Sequence, residues 1–430
     1  MPAVLREEPQ YRLLFGSQVL SVVGDRVASV AMPFAVLAIG GGVGEVAVTS
    51  AAQFLPFVVL AVPAGVWADR WDRKRILVVS DAVRLVTQAV AAVLLLTGTA
   101  QVAHLVVLAA VFGAADAFFS PAFSGLLPTT VEPGNLQPAN ALRGLTFSLA
   151  NVVGPVVAGA LIAFTGGPGS AFAFDAVTFA VSVGLLVPLR SRVVDEVEAD
   201  DRHAAPETSF GTSLREGWHE VRSRSWVLGY LGGFGVYHAV VLPSIFVVGP
   251  VLMAAHYDGA RSWAIVTALF GIGNILGDVL LLAWRPPYAL RVGALMLVGA
   301  SCQAAIVGSH LSVGWIGALE LLTGICVTGT FTLWETSLGE HVPPQALSRV
   351  SSYDYLASTG LIPLGNLLVG IAAAAAGIYP TLYAMSAIGI AASLAVYAVP
   401  SVRHLPRGTA PGEGGSGGGA GLEAGAGADG

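Results

Sequence analysis

Three acidic residues lie well inside segments of the sequence that are otherwise almost entirely apolar. They are Asp25, Asp116 and Glu320, and Arg26 directly follows the first of them. A charge at the centre of a bilayer costs about 2.5–3.5 kcal/mol on insertion scales, so such side chains normally face a cavity or a partner. Burial favours the neutral form of an acid and a nearby arginine favours the charged form, a balance that suits proton uptake and release. We therefore consider these four residues candidates for proton coupling or substrate binding, with static salt bridges between helices as the alternative.

The composition requires lipid as part of the solvent. Of the 430 residues, 55% are hydrophobic and only 11% are charged, whereas soluble proteins are about 25% charged. A soluble fold of this length has too little interior to bury so many apolar side chains. The only two cysteines, Cys302 and Cys326, lie in apolar segments, which excludes a secreted disulfide scaffold.

The apolar segments predict twelve membrane-spanning helices, because each is about 20 residues long or longer. We expect them at residues 11–39, 46–68, 76–98, 103–127, 137–164, 170–188, 226–254, 260–284, 288–309, 313–340, 346–375 and 378–399. The longest polar stretch divides them six and six. The expected organisation is an N-terminal half (1–188), a cytoplasmic linker with one amphipathic helix (189–225), a C-terminal half (226–405) and a disordered Gly-rich cytoplasmic tail (406–430).

The distribution of basic residues predicts the orientation. Seventeen Lys and Arg residues fall in segments on one side of the twelve spans, and only Arg261 falls on the other. Basic residues accumulate on the cytoplasmic side, so we expect a multi-pass protein of the cell membrane with both termini in the cytoplasm. Asp81 and Arg84, three residues apart, are then expected to form a structural pair, and Asp175, near the outer surface, a cap or a packing contact.

The two halves of the sequence repeat each other. An offset of 211 residues superposes Gly113 on Gly324 and Gly154 on Gly365. Six spans bring each half back to its starting side, so the repeats are parallel. The predicted fold class is therefore an all-α integral membrane protein with twelve transmembrane helices in two parallel six-helix pseudo-repeats, which is the architecture of transporters.

The run GVWADRWDRKR, from Gly65 to Arg75, stands between the second and third spans. It resembles the G-x-x-x-D-R-x-G-R-[RK] signature of the major facilitator superfamily, with Asp72 at a position where many members have glycine. The matching residues are Gly65, Asp69, Arg70, Arg73 and Lys74. The resemblance implies a latch that holds the two halves in the outward-open state, in which the glycine allows close helix approach and the aspartate meets an arginine or a helix N-terminus. The alternative is a positive-inside loop with a helix cap.

The fifth span contains LANVVGPVVAG, which resembles the antiporter signature G-x-x-x-G-P-x-x-G-G of the same superfamily. Gly154, Pro155 and Gly159 match, and Ala150 and Ala158 occupy the other two glycine positions. In the family this motif marks exporters, and glycine and proline permit a bend and close packing against the other half. The resemblance covers nearly all of residues 10–405 and is closest to the efflux branch of enterobactin exporters and macrolide-efflux permeases.

The family architecture places spans 1, 4, 7 and 10 around a central cavity. The resemblance therefore implies that Asp25, Asp116 and Glu320 converge there, with Arg26 reaching Asp116 or a carbonyl of another helix. The basic motif that is linked to proton coupling in the fourth span of other drug antiporters is absent. This absence leaves the identity of the coupling residues open.

The expected function is secondary active transport, with export of drug-like, natural-product or siderophore-type molecules by alternating access and proton antiport. The alternatives are a gradient-driven importer of the same fold and a non-transporting membrane sensor or scaffold. Since phosphate loops, metal-ligand spacings and nucleophile elbows do not occur in the sequence, we expect neither an enzyme nor a cofactor or metal. The expected partners are the substrate, protons and lipid, without nucleic acid. The expected oligomeric state is a monomer, and the expected phenotype is antibiotic resistance.

Overall fold

The structure is a computed structural model that describes residues 3–190 and 210–407. Twelve helices in these residues are long and apolar enough to cross a membrane. The first six are α1 (Pro9–Ala38), α2 (Val43–Arg70), α3 (Arg73–Leu96), α4 (Val102–Leu126), α5 (Leu136–Thr165) and α6 (Gly169–Leu186). The second six are α7 (Ser225–His256), α8 (Ala260–Ala283), α9 (Ala289–Val307), α10 (Val313–His341), α11 (Pro344–Ser358 and Ile362–Ala376) and α12 (Ile378–Ala398).

The predicted fold class is confirmed, and the predicted helix limits differ from the observed ones by at most three residues. Both ends of the described chain lie on one face of the molecule, which we call the terminal face. There the Arg190 backbone amide donates to Gln10 at 2.8 Å, and Arg407 pairs with Glu340 at the end of α10 at 3.1 Å. The other end of the helical bundle is called the opposite face.

Close glycine contacts make the internal repeat visible in three dimensions. Gly113 of α4 lies against the carbonyl of Gln53 in α2, and its counterpart Gly324 of α10 lies against the carbonyl of Phe270 in α8. A side chain at either glycine would collide with the neighbouring backbone, so each glycine allows two helices to approach closely. The equivalent helix pairs of the two halves therefore use equivalent residues.

The two halves join near the opposite face. Gly159 of α5 packs against Ala264 of α8, and Gly370 of α11 packs against Ala47 of α2. One hydrophobic core there combines residues of both halves, whereas near the terminal face each half has a core of its own. In this conformation the helical bundle is therefore closed at the opposite face.

A helix from Phe210 to Ser223 precedes α7 and packs against α11. Its Trp218 ring lies 5.8 Å from that of Tyr353, and its Val221 is fully buried. Arg224 donates a hydrogen bond to Glu220 at 2.5 Å, which lowers the pKa of Glu220. The predicted amphipathic helix is thus anchored to the second half. The acidic part of the predicted linker and the Gly-rich tail lie outside the described residues.

Candidate functional site

A cavity of about 360 Å³ lies within the first half and reaches α7 of the second. Its charged residues are Asp25, Arg26, Arg84, Asp116 and Arg143. Its aromatic residues are Phe54, Phe57, Phe112, Phe119, Phe147 and Phe246. A wall that combines aromatic rings with both signs of charge fits an amphipathic organic molecule.

Arg84 of α3 is the centre of the charged cluster. Its Nη1 lies 3.2 Å from Oδ1 of Asp116 in α4 and 3.5 Å from Oδ2 of Asp25 in α1, and its Nη2 hydrogen-bonds to Asp81. The guanidinium is 1% exposed, whereas the carboxylate side chains of Asp25 and Asp116 are 28% and 39% exposed. Arg84 therefore joins two cavity-facing carboxylates to a buried one.

Two aromatic rings hold the Arg84 guanidinium in place. Its central carbon lies 4.3 Å from the ring centre of Phe119 and 4.7 Å from that of Phe179. Such contacts stabilise a cation that has lost most of its water. The geometry of the cluster is thus fixed by packing as well as by charge.

Three carboxylates share the one guanidinium group of Arg84. The other two arginines of the cavity wall, Arg26 and Arg143, form no ion pair within 4 Å with a carboxylate of the described residues. Like charges that share a poorly solvated site cannot all remain ionised without a compensating cation. The arrangement can therefore bind a proton or a cationic group at the cavity wall.

The structure brings Asp25, Arg26 and Asp116 to one cavity, as the sequence predicted. The partner of Asp116, however, is Arg84 and not Arg26, and Arg84 is more than the helix-surface partner of Asp81 that its spacing indicated. The sequence could have indicated this role of Arg84, because the residue lies eleven residues inside α3, or about 17 Å of helix. This depth is comparable to that of Asp25.

Glu320 does not join the other acids, contrary to the prediction. It is fully buried within the second half, where its Oε2 accepts hydrogen bonds from Gln303 of α9 at 3.0 Å and from Thr323 at 2.7 Å. It is not part of the cavity wall. Its position on α10 directs it towards α9 instead of the first half.

The residues of the predicted latch contact their own half in this conformation. Arg73 donates to the carbonyl of Gly125 at 2.9 Å, and Lys74 donates to the carbonyl of Val187 at 2.7 Å. Both contacts satisfy carbonyl groups at helix C-termini. Asp72 caps α3 by accepting a hydrogen bond from the backbone amide of Arg75 at 3.0 Å.

Two other latch residues, Gly65 and Arg70, add little to the packing seen here. No described atom lies within 4 Å of the position that a Cβ of Gly65 would occupy, so the described residues show no close helix approach there. Arg70 is exposed. The side chain of Asp69 lies outside the described part of the structure.

The antiporter-like motif of α5 serves two different interfaces. Gly159 contacts α8 of the other half, as expected, but Gly154 contacts the backbone of Arg26 in α1 of its own half. Pro155 stands within the helix, directly after Gly154. Gly154 thus helps to position α1 at Arg26, next to Asp25 of the charged cluster.

The sequence profile of the Major Facilitator Superfamily matches residues 14–353. The chain therefore belongs to this family, whose members are multi-pass membrane transporters and not enzymes.

Individual relatives and a solved structure agree with this assignment. The chain is 26% identical to the multidrug efflux pump Tap of Mycobacterium tuberculosis over 414 residues, covering 92% of this chain and 94% of Tap. It is 22% identical to the staphyloferrin A transporter of Staphylococcus aureus, covering 90% and 95% of the two chains. The fold matches the crystal structure of the nucleoside transporter NupG with a TM-score of 0.71 at 10% identity, covering 90% of this chain and 98% of NupG.

Proposed function

We propose that the protein is a proton-coupled secondary transporter that exports small organic molecules across the cell membrane. The observation that carries the proposal is the cluster of three aspartates around Arg84, two of which face the cavity. A static structural pair needs one carboxylate for each guanidinium. Because three carboxylates share Arg84, Asp25 and Asp116 at the cavity wall provide a place where a proton and a substrate compete.

The direction and the substrate class are supported by the relatives and by the cavity wall. Tap is named as a multidrug efflux pump, and the staphyloferrin A transporter carries the name of its substrate. Six phenylalanines beside ionisable groups suit amphipathic drugs, natural products or siderophores. Export of such drugs would confer antibiotic resistance, and we infer that a monomer suffices, because the cavity lies within one chain.

Alternating access is supported by the uneven contact between the halves. We propose that the terminal face is cytoplasmic, so that closure at the opposite face makes this the inward-facing state. A periplasm-active reporter should then be silent when fused after Arg407 and active when inserted at Gly41. Activity at both sites, or at Arg407 alone, would contradict this orientation.

The proposed exchange takes place at Asp25. Ionised Asp25 holds the positive or polar end of the substrate, while the apolar part of the substrate lies against the aromatic rings of the cavity. A proton that binds to Asp25 removes the charge that holds the substrate, so each ligand displaces the other. Alternation of the halves then moves them in opposite directions.

The test uses purified protein in liposomes with an imposed pH gradient and a compound that cells export when they express the protein. A macrolide, ethidium and a citrate-based siderophore form the starting panel. Wild-type protein should move the compound only while the gradient persists, and Asp25→Asn should abolish this movement while some binding remains. Asp116→Asn should be milder, and Glu320→Gln, which is remote from the cavity, should stay near wild type.

Each competing function predicts a different result. An importer would lower rather than raise substrate efflux from cells, and a sensor or scaffold would move none of the compounds. Full coupling in Asp25→Asn would reduce this residue to a structural charge.

A further inference from the structure

A second buried carboxylate lies directly behind the cavity cluster and is not used by the proposed exchange. Asp175 of α6 is fully buried; its Oδ2 accepts a hydrogen bond from Nε2 of Gln88 at 2.5 Å, and its Oδ1 accepts one from Thr178 at 3.1 Å. Asp175 lies six residues from the start of α6 at the opposite face, or about 9 Å of helix. It is thus nearer to that face than Asp25, which is 13 residues from the end of α1.

Helix α1 has no side chain at the point where Asp175 meets it. Gly24, the neighbour of Asp25, packs directly on Oδ1 of Asp175 and on the hydroxyl of Thr178, and a Cβ there would overlap both. Glycine at this position therefore allows Asp175 to approach the backbone beside Asp25.

A water-sized void lies beside Asp25 and Gln88, the glutamine that hydrogen-bonds to Asp175. It measures about 10 Å³, and its polar neighbours are Asp25, Ser29, Gln53 and Gln88. One water molecule needs a volume of this size and two to four polar partners. Oδ1 of Asp25 is buried and has no hydrogen-bond partner, so a water in the void would satisfy it.

We propose that this void is a binding site for one water molecule and that Asp175, Gln88, the water and Asp25 form a proton relay. The inference rests on the proposed proton coupling and extends it from the cavity towards the opposite face. In the transfer, Asp175 gives up its proton and becomes a carboxylate, which Gln88 and Thr178 hold by hydrogen bonds. The water passes a proton to the carboxylate of Asp25, which becomes a neutral acid.

Gln88 controls the transfer of the proton, because its side-chain amide lies between Asp175 and the water. Its side chain must turn for the proton to cross, and it then returns to hold the carboxylate. The charged groups facing this relay from the packed helices are Asp25 on α1, Asp81 and Arg84 on α3, and Asp116 on α4. Two neighbouring carboxylates, one buried and one facing the cavity, compete for the same proton.

The first test compares two kinds of transport in liposomes, using the exported compound identified from the panel. Asp175→Asn should lose movement driven by a pH gradient, by roughly ten-fold or more, but keep exchange of labelled for unlabelled compound, which needs no net proton transfer. Gln88→Leu should show the same division. Glu320→Gln is the matched control, since Glu320 is equally buried and is also held by a glutamine and a threonine.

The alternative outcomes overturn the proposal. Equal loss of both kinds of transport in folded Asp175→Asn and Gln88→Leu would make the pair structural, and retention of both would exclude a relay. Wild-type protein without gradient-driven movement would instead refute the proposed function.

A second measurement needs no substrate. Infrared difference spectra of the protein during a pH titration report the carboxyl band that Asp25→Asn removes. If the relay exists, Asp175→Asn shifts the midpoint of this band by about one pH unit or more. An unchanged midpoint in a folded variant would overturn the coupling of the two acids.

Discussion

At the scale of single residues, Arg84 forms the ion pairs on which the charged cluster depends. This side chain connects α1, α3 and α4 through carboxylates and lies between two aromatic rings. A buried cation with several anionic partners is costly to remove, because its partners then remain unpaired in a poorly solvated place.

Replacement of this arginine is therefore expected to cost stability. Arg84→Gln leaves three carboxylates without a shared cation and should destabilise the protein by about 3–5 kcal/mol. Thermal unfolding in detergent, followed by tryptophan fluorescence, measures the loss. Arg75→Gln is the control, since the side chain of Arg75 is 86% exposed and should change stability by less than about 0.5 kcal/mol. An unchanged melting temperature of Arg84→Gln would show that the cluster does not hold the helices together.

At the scale of helices, glycine positions decide which pairs approach closely. Gly113 and Gly324 allow equivalent helix pairs within each half to pack closely. Gly159 and Gly370 do the same for equivalent helix pairs between the halves. The sequence repeat is therefore also a repeat of contacts.

The limits of the helices and their repeat could be predicted from the sequence, because they depend on span length, breaker residues and the glycine offset, which can be read directly along the chain. The partners of the charged residues could not. Arg84 meets Asp25 across 59 positions and Asp116 across 32, and its proximity to both depends on the rotation of three helices about their axes. The rotation of α10 about its own axis likewise directs Glu320 away from the cavity. The number of the helix and the depth of the residue did not indicate this rotation.

The contact between the halves at Gly370 provides a test. Gly370→Leu inserts a large side chain against Ala47 and should oppose closure at the opposite face, at a cost of about 1–3 kcal/mol. Cysteines replacing Ser50 and Asn366, whose side chains hydrogen-bond at 2.9 Å, report closure through their crosslinking yield once the native cysteines are removed. The yield should fall several-fold in Gly370→Leu. In the control Gly184→Leu, where the space around the glycine is open, it should not change, and an unchanged yield in both variants would show that this contact does not set the conformation.

At the scale of the whole molecule, the distribution of the cores indicates two states. One core is shared near the opposite face, whereas the cores near the terminal face are separate. Rocking of the two halves as rigid bodies would exchange the open and closed ends. In the conformation described here the latch residues Arg73 and Lys74 donate hydrogen bonds to carbonyl groups of the first half. We expect the latch between the halves to act in the other state.

Asp69→Asn is expected to weaken that other state without unfolding the protein. One charge-assisted contact contributes about 1.5–3 kcal/mol, enough to change the ratio of the two states roughly ten-fold or more. Transport should therefore fall at matched expression, while the crosslinking yield of the cysteine pair at positions 50 and 366 rises because closure at the opposite face is favoured.

Arg73→Ala should also impair transport. Because it additionally removes the hydrogen bond to Gly125, Asp69→Asn is the more direct test of the latch. Arg75→Gln, in the same run of residues, is the control and should transport normally. Normal transport in Asp69→Asn and Arg73→Ala, with an unchanged crosslinking yield, would leave the motif as a positively charged loop with a helix cap.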